Sequence, residues 1–266
     1  MSHDADALRD LAADIAREAG DLARRRRAEG VSLAATKSTI ADIVTEADRE
    51  VEALIRSRLE RERPGDGFLG EESGEAASST GVNWVVDPID GTVNYAYGIP
   101  AYNVSIAAVQ GSLVPEEWEA LAGAVLAPAL DELFTASRGG GAWLQGERLA
   151  VNEVTPAGAL LATGFGYDPS THDGDLATVR RIMPLARDLR RIGSAALDLS
   201  YVAAGRLDGF FERGLKPWDL AAGALMITEA GGVVTRRDVG TARPMVVAAG
   251  PDLHREINAV LDEADG

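Results

Sequence analysis

Asp87 and Asp90 flank the dipeptide Pro88-Ile89 and run directly into Gly91-Thr92. Pro88 restricts the backbone of Asp87 and favours a turn. Two carboxylates on such a turn can point into one space, where they repel; both stay ionised only with a cation between them. Magnesium is the expected cation, because it takes hard oxygen ligands and keeps waters for exchange. The backbone carbonyl of Ile89 faces the same space and offers a further ligand. Gly91 lets the backbone approach an anion closely, and Thr92 adds a hydroxyl. A helix starting here would present free N–H groups to a phosphate. Taken alone, Asp-Pro-x-Asp-Gly reads equally well as a surface turn.

Further acids stand where elements are expected to begin or end. Glu71-Glu72 follow the short apolar run Phe68-Leu69, Asp219 opens an expected helix near Trp218, and Asp48 opens another. Individually they have plainer readings: exposed acids for Glu71-Glu72 and a helix N-cap for Asp219. Their joint meaning depends on a fold that carries them to the Asp87 turn.

The elements able to do so are legible as periodicities. Leu8, Leu11, Ala12, Ile15, Ala16, Ala19 and Leu22 recur at helical spacing, with Arg24 to Arg27 at the polar end of that helix. Thr45 and Asp48 fit the start of a second helix, whose stripe is Val51, Leu54, Ile55 and Leu59 and which Pro64-Gly65 ends. Strands are expected at 68–69, 84–86, 104–109, 121–126 and 133–136, with a glycine turn at 139–141 and a loop over 75–82. The second half alternates strands (160–163, 189–192, 209–212, 233–234, 245–249) with helices (176–185, 195–204, 218–230, 253–261). This pattern predicts layers of helix and sheet in an α/β chain. It is read as one catalytic domain over 1–266, with a metal-binding α+β half at 1–155 and an α/β half at 156–266.

Composition narrows the function classes. The net charge is -16, so the basic face that nucleic-acid binding relies on is not expected. An acidic protein handling an anionic substrate needs local charge reversal, which bound divalent cations supply. Cysteine is absent, which excludes disulfides, thiolate metal sites and a cysteine nucleophile. No apolar run approaches the roughly 20 residues of a membrane span, and the polar first residues carry no secretory signal, so a cytoplasmic location is expected. Gly164-Phe165-Gly166 echoes a dinucleotide loop but lacks the third glycine. His3, His172 and His254 are unclustered. The acidic stretch 115–120 exceeds what a plain hairpin needs.

The order Gly70-Glu71-Glu72-Ser73, then Trp84-Val85-Val86-Asp87-Pro88-Ile89-Asp90-Gly91-Thr92-Val93-Asn94-Tyr95, then Trp218-Asp219-Leu220-Ala221-Ala222-Gly223 resembles the inositol monophosphatase family. The resemblance extends to residues 37–48 and 191–196 and to Phe211-Glu212, and so covers nearly the whole chain. It implies a layered α-β-α-β-α sandwich of the sugar phosphatase type, commonly a homodimer. It implies a lithium-sensitive, magnesium-dependent hydrolysis of a small phosphomonoester, foremost myo-inositol monophosphate, by metal-activated water and with two or three Mg2+ ions. By the same resemblance Glu71, Asp87 and the Ile89 carbonyl hold one metal, and Asp87, Asp90 and Asp219 a second, with a weaker third near Glu71. Asp48 and Thr92, with Glu71, orient and deprotonate the water. Gly91 and Thr92 receive the phosphate, and Ser194, Ala195, Glu212 and Asp219 bound the alcohol half. Lys37 sits on a mobile loop, where Ile40 replaces the proline of many relatives; Val93 and Tyr95 are the other departures. Relatives acting on histidinol phosphate, fructose bisphosphate or an adenosine bisphosphate share this metal core, and a regulatory module on the same scaffold is a further alternative. A nucleotide-selective pocket should add aromatic or basic residues, of which the second half offers few; Glu212 suits sugar-like hydroxyls. The partner expected is therefore a small-molecule phosphate ester, with no nucleic acid and no membrane.

Overall fold

The computed structural model describes residues 4–30, 33–36, 43–153, 157–237 and 242–262. Lys37, Ile40 and His3 lie outside the described residues. The apolar repeat from Leu8 forms α1 (Ala5–Glu29), and the Asp4 carboxylate caps it by accepting from the Asp6 and Ala7 N–H groups. An antiparallel pair, β1 (Leu33–Thr36) and β2 (Ile43–Thr45), leads into α2 (Glu46–Glu62).

Next come β3 (Gly67–Gly70), β4 (Gly74–Ala76) and β5 (Val82–Asp90). The loop expected over 75–82 therefore begins as a short edge strand. A helix, α3 (Thr92–Tyr97), follows directly. The first sheet is completed by β6 (Asn103–Gly111), β7 (Trp118–Ala127), β8 (Glu132–Ser137), β9 (Gly141–Leu144) and β10 (Glu147–Arg148). Its eight strands run in the order β10-β9-β8-β7-β6-β5-β3-β4. The acids of 115–120 find distant partners: Glu116 pairs with Arg236 and Glu119 with Arg138.

The second half follows the expected alternation. Its strands are β11 (Ala159–Thr163), β12 (Ala186–Arg190), β13 (Gly209–Arg213), β14 (Val233–Arg237) and β15 (Met245–Ala249), in the order β12-β11-β13-β15-β14. Its helices are α4 (His172–Ile182), α5 (Ala195–Ala203), α6 (Pro217–Glu229) and α7 (Pro251–Asp262). Two boundaries differ from expectation. α4 starts before residue 176 and gives way to a 3-10 turn at Met183–Leu185, where Pro184 lacks the N–H an α-helix needs. The strand expected at 189–192 lies earlier, at Ala186–Arg190, which leaves Ile192-Gly193-Ser194 as the approach to α5.

Alternation along the strands stacks the layers. In β5, Trp84 and Val86 face a core shared with Ile15 of α1 and Ile55 of α2, whereas Val85 faces the opposite core with Leu199 of α5 and Met226 of α6. In the second sheet, Phe210, Val246 and Ala248 meet that same α5–α6 layer from the other side. Phe211, Val247 and Ala249 face a third core with Ile182 of α4 and Ile257 of α7. The result is the expected layered α-β-α-β-α sandwich. Its middle helices pack closely because their contacts are small: a Cβ on Gly123 would lie 3.1 Å from the Ala222 Cα, and one on Gly223 2.6 Å from the Leu199 Cβ. Among the described residues, no helix is long and apolar enough to cross a membrane.

Candidate metal centre and its cleft

The centre is built where β5 ends. The β5–β6 pairing is regular through Asp87↔Ser105, then shifts register before resuming at Asp90↔Asn103. Pro88, which cannot donate to the ladder, lies inside this irregular stretch. The Asp87 carboxylate accepts from the Ile89 N–H at 3.1 Å, holding the turn. Gly91 then takes φ 89°, a left-handed conformation, and a Cβ there would meet the Ala101 carbonyl at 3.0 Å. The chain thereby turns from β5 into α3 at a point where a side chain would crowd Ala101, Gly193 and Ser194.

Asp219 comes from the far half. It occupies the third position of α6, and its carboxylate accepts from the Lys216 N–H at 2.7 Å. The N-cap residue is thus Lys216, not Asp219. Asp87, Asp90 and Asp219 each place a carboxylate oxygen within 4.8 Å of the others, with Asp87 only 2% exposed. Burial pushes the Asp87 carboxyl well above its usual range, and repulsion from Glu71, Asp90, Asp219 and Asp48 adds to it. Asp219 shifts the same way, through burial and then Asp90. For Asp90, burial raises the carboxyl while hydrogen bonds oppose it. Its Oδ2 accepts from Asn103 Nδ2 at 2.9 Å, Ser194 Oγ at 2.8 Å and the Ala196 N–H at 2.8 Å.

Glu71 stands on the β3–β4 turn and lines the same cleft. Its N–H donates to the Val86 carbonyl at 3.3 Å, which ties that turn to β5. Glu52, on the buried side of α2, accepts from the Glu72 and Ser73 N–H groups at 2.8 and 2.7 Å and so sets the turn from beneath. The sequence reading missed Glu52; the available signal was an acid beside Val51 on an otherwise apolar stripe. Thr92 Oγ1 lies 3.0 Å from the Ile89 carbonyl and 3.3 Å from Asp48 Oδ1.

The cleft above these acids encloses about 490 Å³. Gly91, Ser194, Ala195 and Glu212 line it, as the sequence reading expects. The Ser194 hydroxyl is engaged by Asp90 and by Asn103 at 2.7 Å. Burial pushes the Glu212 carboxyl up to about 8, against the pull of nearby Arg191. The expectation of few basic or aromatic residues in the second half is not met. Arg191, Arg213, Lys216, Arg243, Tyr167 and Trp218 also line the cleft. Arg191 and Trp218 belong to the motifs at 191–196 and 218–223, and Arg213 follows Glu212 directly, whereas no local pattern announces Tyr167 or Arg243. Arg243 is committed to Asp175, at 3.1 and 3.0 Å, and to the Arg213 carbonyl at 2.9 Å. Gly164-Phe165-Gly166 forms cleft wall, with the Gly166 N–H on Asp175 and its carbonyl 2.9 Å from His172 Nε2. His254 lies away from the cleft, against Thr235 and Asn258.

A larger groove, about 740 Å³, runs along α1 and the β7–β8 turn. Its arginines are neutralised locally, Arg9 by Asp6 and Asp10, Arg17 by Asp14 and Arg24 by Asp21. It is lined by Asp10, Asp14, Asp21 and Asp131, but among the described residues the acids that converge as a group are Asp87, Asp90 and Asp219.

The chain is similar to known proteins in sequence and in fold. The model of the Inositol monophosphatase family matches residues 4–265. A Mycobacterium bovis protein named inositol-1-monophosphatase is 44% identical, over 97% of this chain and 94% of its own. A solved structure, Mycobacterium tuberculosis SuhB, superposes with a TM-score of 0.83 at 43% identity, covering 98% of both chains. An Escherichia coli K12 protein named Nus factor SuhB is 40% identical over 85% of this chain and 83% of its own.

Proposed function

The chain belongs to the inositol monophosphatase family, and on that premise we propose a magnesium-dependent phosphatase whose preferred substrate is a myo-inositol monophosphate. The observation that carries the reading is the convergence of Asp87, Asp90 and Asp219 from two halves of the chain. Buried acids this close ionise together only with cations among them, and an all-oxygen donor set suits magnesium. We assign Glu71, Asp87 and the Ile89 carbonyl to one ion, Asp87, Asp90 and Asp219 to a second, and a weaker third to the side of Glu71. Such ions supply charge neutralisation for the transferring phosphoryl group and a nucleophile at neutral pH.

The chain's own groups do the rest. Asp48 and Glu71, with the Thr92 hydroxyl between Asp48 and the Ile89 carbonyl, orient the attacking water and take its proton. The backbone at Gly91-Thr92 receives the phosphate. Ser194, Ala195, Glu212 and Asp219 face the alcohol half. We further propose one catalytic domain in two halves, a homodimer and a cytoplasmic location; sedimentation of the purified protein tests the dimer.

The test is phosphate release from inositol 1-phosphate, histidinol phosphate, fructose bisphosphate and adenosine bisphosphate, with magnesium and with chelator. Magnesium-dependent release with the highest kcat/KM on inositol phosphate is expected. Release that ignores magnesium sinks the metal assignment, and a different preferred ester sinks the substrate. A regulatory role is a second reading, favoured by the name of the Escherichia coli relative. It prevails if no ester is hydrolysed.

Two further outcomes are expected. Lithium should inhibit at concentrations where sodium does not, because a weak oxygen-rich site admits a small ion of lower charge. Equal inhibition by the two at fixed magnesium speaks against that site. Glu212→Gln should erode the preference for inositol phosphate over an aryl phosphate by about tenfold, the upper end for one lost hydrogen bond between neutral groups. Parallel losses on both substrates would place Glu212 in support of the metals instead.

A further inference from the structure

The acids lining the cleft are accounted for with two exceptions. Asp168, at the mouth, accepts from the Ser170 N–H at 2.9 Å and caps the turn that follows it. Asp198 has no such use. It lies in the first turns of α5, where its own N–H donates to the Ser194 carbonyl at 3.0 Å. It is 1% exposed, yet it lines the cleft. Its Oδ1 is buried with no hydrogen-bond partner among the described residues.

An unmet buried acceptor is rare in folded proteins, because its lost hydration is not replaced. Here the flanking helix offers it nothing: Leu197 and Leu199 on either side are buried apolar side chains. Its electrostatic neighbours are Glu212 and Asp90, of like charge, and Arg191, of opposite charge. Glu212 on β13 and Asp198 on α5 are therefore two carboxyl groups, fixed by separate layers, at one end of the cleft. Neither Arg191 nor any other donor of the described residues meets the Asp198 Oδ1. The cleft that Asp198 lines is the side from which a ligand approaches it.

We propose that Asp198 is a specificity-determining residue of the alcohol pocket, its unpartnered oxygen accepting a hydrogen bond from a hydroxyl of the departing polyol. This rests on the phosphatase reading above and deepens it. Two acceptors from different elements, Asp198 and Glu212, read two hydroxyls at a set separation. The pocket then selects a polyhydroxylated alcohol over a monohydric or aryl one. Rejection is strong because an alcohol lacking the hydroxyl leaves Asp198 buried and unpaired.

The experiment compares wild type, Asp198→Asn and Asp198→Ala on inositol 1-phosphate, its single-deoxy analogues and 4-nitrophenyl phosphate, all at saturating magnesium. In wild type, one deoxy position should cost at least about tenfold in kcat/KM. In Asp198→Ala that same deoxy penalty should largely vanish, while the penalties at the other positions persist; such non-additivity is the mark of direct contact. The ratio of inositol phosphate to aryl phosphate turnover should fall in both variants. Melting curves check folding, and if the alanine variant is unfolded the asparagine variant decides alone. Unchanged deoxy penalties at every position in the variants, with inositol and aryl phosphate falling in parallel, overturn the proposal: Asp198 then meets only solvent or supports α5. A wild type with no preference for inositol phosphate overturns the substrate reading and the Asp198 proposal together. A wild-type preference that survives in both variants overturns the Asp198 proposal alone.

Discussion

Asp87→Asn is expected to lower kcat by at least about 10²-fold at saturating magnesium, the scale of losing one central electrostatic element. Asp87 is the acid assigned to both ions. Its carboxyl lies within 4.8 Å of Asp90 and Asp219 oxygens and is repelled by Glu71 as well. Asparagine copies its shape and keeps an oxygen to accept the Ile89 N–H now held at 3.1 Å. The β5 turn should survive, so the substitution removes charge and little else. Phosphoryl transfer asks mainly for positioning and charge neutralisation, which is the property removed. Asp219→Asn touches one assigned ion and should cost less. The measurement is kcat across a magnesium titration for the two variants. Near-normal turnover of Asp87→Asn at saturating magnesium removes the shared assignment.

The parts of this site that sequence reveals are those whose chemistry is local. Asp87-Pro88-Ile89-Asp90-Gly91 is a continuous turn, and its register break in the β5–β6 ladder follows from a proline that cannot donate. Asp219 is legible only in part. An acid in the first turn of a helix reads as a cap, and Asp219 does cap, accepting from the Lys216 N–H, yet from the third position and while facing Asp87 and Asp90. Local capping chemistry is the same in both cases, so only the tertiary fold separates them. Glu52 hides for a different reason: a stripe is recognised by its apolar members, and an acid within it breaks the count. Arg191, Arg213 and Arg243 converge because the second sheet orders its strands β12-β11-β13-β15-β14, which sequence order does not disclose. The acids of 115–120 are explained by Arg138 and Arg236, partners far along the chain. The layers themselves were more accessible, since the apolar runs 84–86 of β5, 210–211 of β13 and 245–249 of β15 are buried on both faces.

The same substitution is expected to reverse sign in a stability assay. Without metal, Glu71, Asp48, Asp87, Asp90 and Asp219 crowd one volume in a chain already at -16. Like charges about 4 Å apart cost about 1 kcal/mol in water-like surroundings and more where solvent is excluded. Metal-free Asp87→Asn should therefore melt at or above metal-free wild type at neutral pH. Linkage sharpens the comparison. The folded Asp87 carboxyl is raised above its unfolded range, so the native state binds the proton more tightly. Its contribution is favourable below the ordinary carboxylate range near pH 4 and is lost as pH rises through the higher folded value. Metal-free wild type should gain stability on mild acidification from neutral pH, and the mutant should gain less. Magnesium binds the folded site and hardly binds the unfolded chain, so it should stabilise wild type by about 2.7 kcal/mol at a hundredfold excess over Kd. The mutant, lacking the shared ligand, should gain much less. Four melting curves decide: wild type and Asp87→Asn, each in chelator and in excess magnesium. A mutant that melts well below wild type in chelator yet gains equally from magnesium would show that Asp87 is a turn residue and that the ions are held without it.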